Sequence, residues 1–149
     1  MHRSKTANFI TKLINDPSIR PTCGGDGASY IDLSTHFDKI ISLEGVGGAW
    51  LFEQEGRGVY ACHYFFLPKF RGRYALKFGR KVLKYMFEVI GAKRLIGRAP
   101  IENKLTSFYN SALGGKKGPI EEVYISQIDW HYMAQIFTLD REDWSCHLS

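Results

Sequence analysis

Phe66-Leu67-Pro68-Lys69-Phe70-Arg71-Gly72-Arg73-Tyr74-Ala75-Leu76 is the stretch where one hydrophobic period gives way to another. Upstream, Gly58 to Leu67 alternates. Val59, Ala61, His63 and Phe65 share one face, and Tyr60, Cys62, Tyr64 and Phe66 share the other. Both faces are largely apolar, which predicts a central strand covered on both sides. Pro68 ends it, having no N–H for a ladder. Downstream, from Tyr74 or Ala75 to Ile90, the apolar residues Ala75, Gly79, Val82, Leu83, Met86, Val89 and Ile90 recur at helical spacing. Lys77, Arg80, Lys81, Lys84 and Glu88 take the opposite side, and Gly91 suits the C-terminal cap. The unit is therefore strand, basic glycine turn, helix. A helix start leaves backbone N–H groups without partners at the positive end of the dipole, so such a turn suits an anion like a pyrophosphate. Arg71 and Arg73 add two full charges there. An ordinary solvated turn is the plain alternative.

Outward from this unit the chain reads as a mixed sheet with helices on both faces. Gly48–Glu53 and Gly58–Leu67 form a hairpin, with Gly56 supplying the turn. Arg94–Gly97 is a strand ending at Pro100. Returning to it through the helix makes a right-handed crossover between parallel strands. Asn103 to Leu113 is a second helix, stopped by Gly114-Gly115, and Glu121–Ser126 and Trp130–Leu139 are late strands. At the N-terminus, residues 5–15 form a short amphipathic helix, and residues 30–43 read ambiguously, as a short helix followed by the strand Lys39–Leu43. Gly24-Gly25-Asp26-Gly27 reads as a turn rather than a phosphate loop. The fold class is α/β (α+β), in one domain over residues 1–149.

The turn and the helix after it resemble the coenzyme A signature of the GNAT superfamily of N-acyltransferases, most of all the small forms encoded by bacteriophages. The family pattern is Arg/Gln-x-x-Gly-x-Gly/Ala between a central strand and a helix. Arg71 takes its first position, with Tyr74 at the central glycine and Leu76 at the Gly/Ala. The strand ending near Pro100, Asn103 at a helix start and Leu113-Gly114 at its end continue the resemblance. It covers residues 45–115 by motif. It implies a mixed, mostly antiparallel twisted sheet, and acetyl-CoA or another acyl-CoA as cofactor. It also implies that Arg71, Gly72, Arg73, Tyr74, Ala75 and Leu76 hold the pyrophosphate. Phe65, Phe66 and Leu67 would pair with the pantetheine arm, and Asn103 and Asn110 would complete the binding set. The family's tyrosine, a proton donor to the leaving sulfur, falls on Asn110, with Tyr109 one residue earlier and about 100° around the helix.

Transfer of an acyl group to an amine needs a base, because the amine is protonated near neutral pH. His63, on the central strand just before the turn, is the candidate base. Glu53 on the neighbouring strand is a second, and Tyr109 is the candidate acid. A strand histidine with a structural role is the plain alternative for His63. Trp130, His131 and Tyr132 offer an aromatic recognition edge, though alternating aromatics in a strand are more often core.

Composition narrows the classes. Over 149 residues, Lys and Arg exceed Asp and Glu by 20 to 15, and Lys69, Arg71, Arg73, Lys77, Arg80, Lys81 and Lys84 lie within sixteen positions that hold no acid. The charge thus reads as one local anion site rather than general affinity for nucleic acid. Three cysteines (Cys23, Cys62, Cys146) make a disulfide framework unexpected, and the adjacent pairs Cys62-His63 and Cys146-His147 have no metal spacing. No apolar run approaches a membrane span. The expected setting is the cytoplasm, that of a host if the chain is phage-encoded. The leading function is transfer of an acyl group from coenzyme A to an amine. Two alternatives stand beside it: a GNAT-like protein without catalysis that serves particle assembly or binds a host factor, and one that modifies or binds nucleic acid.

Overall fold

The computed structural model describes residues 1–24 and 29–146. Most of the Gly24–Gly27 turn and the second half of the Cys146-His147 pair lie outside the described residues. Among the described residues, seven strands form one sheet in the order β1-β2-β3-β4-β5-β7-β6. They are β1 (His2–Arg3), β2 (Ile40–Glu44), β3 (Gly48–Gly56), β4 (Val59–Phe66), β5 (Arg94–Pro100), β6 (Lys116–Ile125) and β7 (Trp130–Asp140). All neighbours are antiparallel except β4 and β5. The helices are α1 (Asn8–Ile14), α2 (Arg73–Tyr85), α3 (Lys104–Ala112) and α4 (Arg141–Cys146). This is the mixed sheet expected from the period changes, mostly antiparallel as the resemblance implies, and β4 is its central strand.

Each sheet face has its own core. On one, Trp50, Phe52, Cys62, Phe66 and Leu95 pack under Phe78, Val82, Leu83, Met86 and Phe87 of α2 and the turn after it. On the other, Ala49 and Leu51 meet Ile10 and Leu13 of α1 and Ile19, with Phe65 and Leu67 beside them. Four details differ from the sequence reading. The first helix is shorter, starting at Asn8. The hairpin strands run on through Gln54-Glu55-Gly56, so the turn falls on Arg57-Gly58, and Gly58 rather than Gly56 carries the positive φ of 74°. The late strands begin earlier, at Lys116, and end later, at Asp140.

The fourth difference lies at the end of α2. Met86–Ile90 is a π-helical turn, closed by Gly91 at φ 81° and by the Ala92 N–H on the Met86 carbonyl (2.9 Å). A wider turn rotates the residues beyond it around the axis. Phe87 is therefore fully buried and stacks on Trp144 (5.1 Å between ring centres), while Val89, expected inside, is 67% exposed.

The parallel contact positions the site. Its register covers four pairs, from Val59↔Arg94 to Cys62↔Gly97. Beyond it β4 stays with β3 to Gly48↔Phe66, and β5 stays with β7 to Pro100↔Ala134. The two halves of the sheet part there and leave a wedge between Tyr64–Phe66 and Arg98–Pro100.

Candidate functional site

Backbone groups on successive strand residues point to opposite sides. The Gly58 carbonyl accepts from Lys93 and Arg94 on the β5 side, and Leu67 N–H donates to the Gly47 carbonyl just ahead of β3 (2.9 Å). The same alternation turns the peptide groups of Phe65 toward β3 and those of Tyr64 and Phe66 toward the wedge. Of the expected run Phe65–Leu67, only Phe66 thus offers its peptide groups to a molecule in the wedge, and Tyr64 joins it. The Phe66 carbonyl already accepts from Arg71 Nε (3.1 Å), whose guanidinium also reaches the Ser18 carbonyl (3.5 Å). Arg71 therefore braces the turn with its charge still at the mouth.

Gly72 is the N-cap of α2 at φ 85° and ψ −127°, with open space around it. That conformation strains any residue with a Cβ. No side chain caps the first turn, so the N–H groups of Arg73, Tyr74 and Ala75 stand at the helix start, while Leu76 N–H already bonds the Gly72 carbonyl (3.0 Å). Tyr74 replaces a glycine of the family pattern without filling the turn. Its ring stacks on Phe78 (5.9 Å), meets Phe70 and Phe66 edge-on, and brings its hydroxyl against Gly45. Arg73, Lys77, Arg80, Lys81 and Lys84 are all exposed along the outer face of α2.

The displaced tyrosine has a definite place. Tyr109 Oη donates to the Ala75 carbonyl (2.6 Å), across from α3 to the first turn of α2. Its ring packs among Trp50, Tyr64 and Phe66, and burial pushes its pKa well above the usual phenol value. Gly79 makes this approach possible, since a Cβ there would lie 2.6 Å from the Tyr109 hydroxyl. Asn110 is nearly buried, with Nδ2 donating to Thr106 O (3.1 Å) and Oδ1 tight against Gly97 at the root of the wedge. Asn103 caps α3 by accepting from Thr106 N–H (3.1 Å). A cavity of about 30 Å³ behind Asn110, Gly97 and Cys62 holds no more than a water. Leu105 and Phe108, which sequence reasoning passed over, are 72% and 68% exposed. Leu105 stands one turn before Tyr109 on the flank toward α2, and Phe108 is its neighbour at i+3.

His63 lies on the opposite sheet face, level with the opening of the wedge. Its Nε2 is 3.9 Å from Glu53 Oε1 of β3, beyond hydrogen-bond length but close enough to attract. Desolvation lowers its pKa below the ordinary histidine value and Arg98 adds to this, while Glu53 and Glu55 act against it. The imidazole is nonetheless 37% exposed, so a solute can reach it. Arg98 and Glu55, both unnoticed in the sequence, form a two-fold hydrogen-bonded ion pair beside it. Tyr132 and Glu121 lie near Arg98. Cys62 faces the other way, its Sγ donating to Ile96 O (3.2 Å). Burial pushes its pKa up to about 12, which leaves no nucleophilic thiolate. Trp130 and Tyr132 stack at 4.0 Å, and Trp130 covers Gly24. A groove of about 650 Å³ along α1 and Tyr30–Ser34 shares no residue with this site.

No protein-family model matches the chain, and no curated protein matches it in sequence. Solved structures do match it in shape. A GNAT-family acetyltransferase from Bacillus anthracis aligns over 70% of this chain and 67% of its own, with a TM-score of 0.58 and 21% identity. A ribosomal-protein-S5-alanine acetyltransferase from Vibrio fischeri aligns over 75% and 67%, at 0.60 and 13%. A point mutant of the spermidine N-acetyltransferase SpeG from Vibrio cholerae aligns over 95% and 94%, at 0.68 and 14%. With its parallel strands parting ahead of a glycine turn and a basic helix, the chain has the fold of the GNAT-family acetyltransferases.

Proposed function

We propose that the protein transfers an acyl group from coenzyme A to an amine. The observation that carries this reading is the wedge itself: β4 and β5 part after Cys62↔Gly97, directly ahead of a helix start whose N–H groups no side chain caps. The residues present fit the cofactor. Tyr74 is folded away against Gly45 and Phe78, and Gly72 has open space around it, so none of the described residues fills the turn. Arg73, Tyr74 and Ala75 would donate backbone N–H groups to a pyrophosphate, with Arg71 and Arg73 adding charge. Tyr64 and Phe66 would offer strand-edge groups to the pantetheine arm, with Leu105 and Phe108 as an apolar flank. When bound, coenzyme A supplies the activated acyl thioester.

The chain's own residues act on the acceptor, whose freed amine would form the C–N bond as the C–S bond breaks, with the nitrogen's second proton passing to the leaving thiolate. The acceptor reaches His63 from the α1 face of the sheet, and the neutral imidazole takes a proton from its ammonium. Glu53, 3.9 Å away, stabilises the imidazolium that forms. Glu53 and Glu121 on this face favour a cationic acceptor, and solved structures of similar shape include spermidine N-acetyltransferases, so polyamines are the first acceptors to try. Tyr109, with its proton held by Ala75, serves in this reading as a tie between α2 and α3 rather than as the acid.

Two measurements test the proposal. Acetyl-CoA at millimolar concentration should raise the melting temperature, and mass spectrometry should find acetylated product with a panel of amines. The His63→Asn variant should keep the thermal shift and lose about 10²-fold or more of the rate. A chain that melts identically with and without acetyl-CoA does not use it.

A further inference from the structure

Arg98 is the first residue of β5 beyond the last parallel pair, Cys62↔Gly97, and it shares a face with His63. It does not extend along its own strand. Its guanidinium reaches back across β4 to Glu55 near the end of β3. There both terminal nitrogens meet both carboxylate oxygens, Nη2 to Oε2 at 2.9 Å. The register puts Ala61 of β4 at the crossing, between Glu53 of β3 and Ile96 of β5. The pair thus spans three strands diagonally at the root of the wedge. It is only partly exposed, 26% for Arg98 and 35% for Glu55, and its fork geometry is the kind that fixes orientation as well as distance.

We propose that the Arg98–Glu55 pair is the positioning device of this site, a strap that ties β3, β4 and β5 where the wedge opens and stations a cation beside the His63 ring. The strap has a mechanical and an electrical part. Mechanically, it holds β5 against β4 at the place where backbone pairing stops. Electrically, the guanidinium disfavours the imidazolium, and Glu55 limits that effect by neutralising part of its charge. The charged groups acting on His63 are Glu53 and Glu55 from β3 and Arg98 from β5, while Tyr132 of β7 and Glu121 of β6 act on Arg98. Cys62 turns to the other face. The purpose of the strap rests on the acyl-transfer reading, but its physics does not.

The experiment is an NMR titration of the His63 ring in the full chain, assigned with His63→Asn, for the wild type, Arg98→Gln, Glu55→Gln and Arg98→Lys. Arg98→Gln should raise the proton affinity of His63 by about threefold or more, and Glu55→Gln should lower it. Arg98→Lys keeps the charge and should stay near the wild type. Opposite displacements from the two halves of one pair cannot come from a loosened fold. Amide hydrogen exchange at Cys62, the last residue of β4 paired with β5, reads the mechanical part, and it should quicken in both Gln variants. A His63 that titrates alike in all four proteins, or exchange that does not change, overturns the proposal. Should the titrations move as stated while no amine is acylated, the strap stands and the acyl-transfer reading falls.

Discussion

A tyrosine one position away from the one the resemblance implies has its hydroxyl engaged. Tyr109 spends its hydroxyl on the Ala75 carbonyl, so Tyr109→Phe should cost about 1 kcal/mol in urea denaturation, the usual net value of such a bond, and leave acyl transfer running. A collapse of kcat would instead make it the acid. His63 makes the complementary prediction. Desolvation and Arg98 hold its neutral form to lower pH, so the acid limb of the rate profile should have its midpoint below about 6.5, the ordinary histidine value. The base acts unprotonated, so a lowered pKa widens the active range downward. In the sequence His63 could be noticed because it interrupts an alternating apolar strand. Arg98 and Glu55 could not, since 43 positions separate them and each reads as a polar residue on a solvent face. Only the register of three strands brings them together.

Among the elements, the period change at Pro68 was the most legible, because alternation and helical spacing are both set by the side chains that must be buried. The π turn at Met86–Ile90 left no such mark, as apolar residues at Met86, Phe87, Val89 and Ile90 fit either phase. Two glycines carry the element-level predictions. Gly72→Ala puts a Cβ where φ is 85°, and with no neighbour within 4 Å the penalty is conformational, about 1–3 kcal/mol. The variant should melt earlier and bind acetyl-CoA more weakly, since the helix start it caps is the proposed phosphate cradle. Gly79→Ala acts between helices. Its methyl would meet the Tyr109 hydroxyl at 2.6 Å and a Leu113 methyl at 2.8 Å, so those side chains must give way and the Tyr109–Ala75 hydrogen bond is disturbed. Calorimetry of the two variants should show destabilisation in both.

Over the whole molecule the charge is uneven. The exposed basic face of α2 adjoins the glycine turn, whereas the His63 face carries Glu53, Glu55 and Glu121 around Arg98. A nucleic-acid partner would use the basic face, and its affinity would fall steeply with salt. Binding to duplex DNA at low salt should be absent, as measured by fluorescence anisotropy; a strong, salt-sensitive complex would favour the nucleic-acid alternative. Among the described residues no helix is long and apolar enough to cross a membrane, and no three His, Cys, Asp or Glu side chains gather as for a metal. The edge strand β6 carries Pro119, a register shift between Lys117 and Ile120 and exposed Lys116, Glu121 and Glu122, devices that discourage further strands from adding there.

The four-pair contact between β4 and β5 has a kinetic consequence. Strands β2, β3 and β4 close through neighbouring turns, and β5, β7 and β6 need no partner from the first group except along this short seam. The β2–β4 meander and the β6–β7 hairpin can zip locally, but β5 must join β4 at a separation of 35 positions and β7 at separations of 34 to 46. Contacts so far apart in the chain form late and slowly. Stopped-flow refolding should therefore find truncations on β5, such as Ile96→Ala, acting chiefly on the unfolding limb, with truncations inside the β2–β4 meander acting on the folding limb.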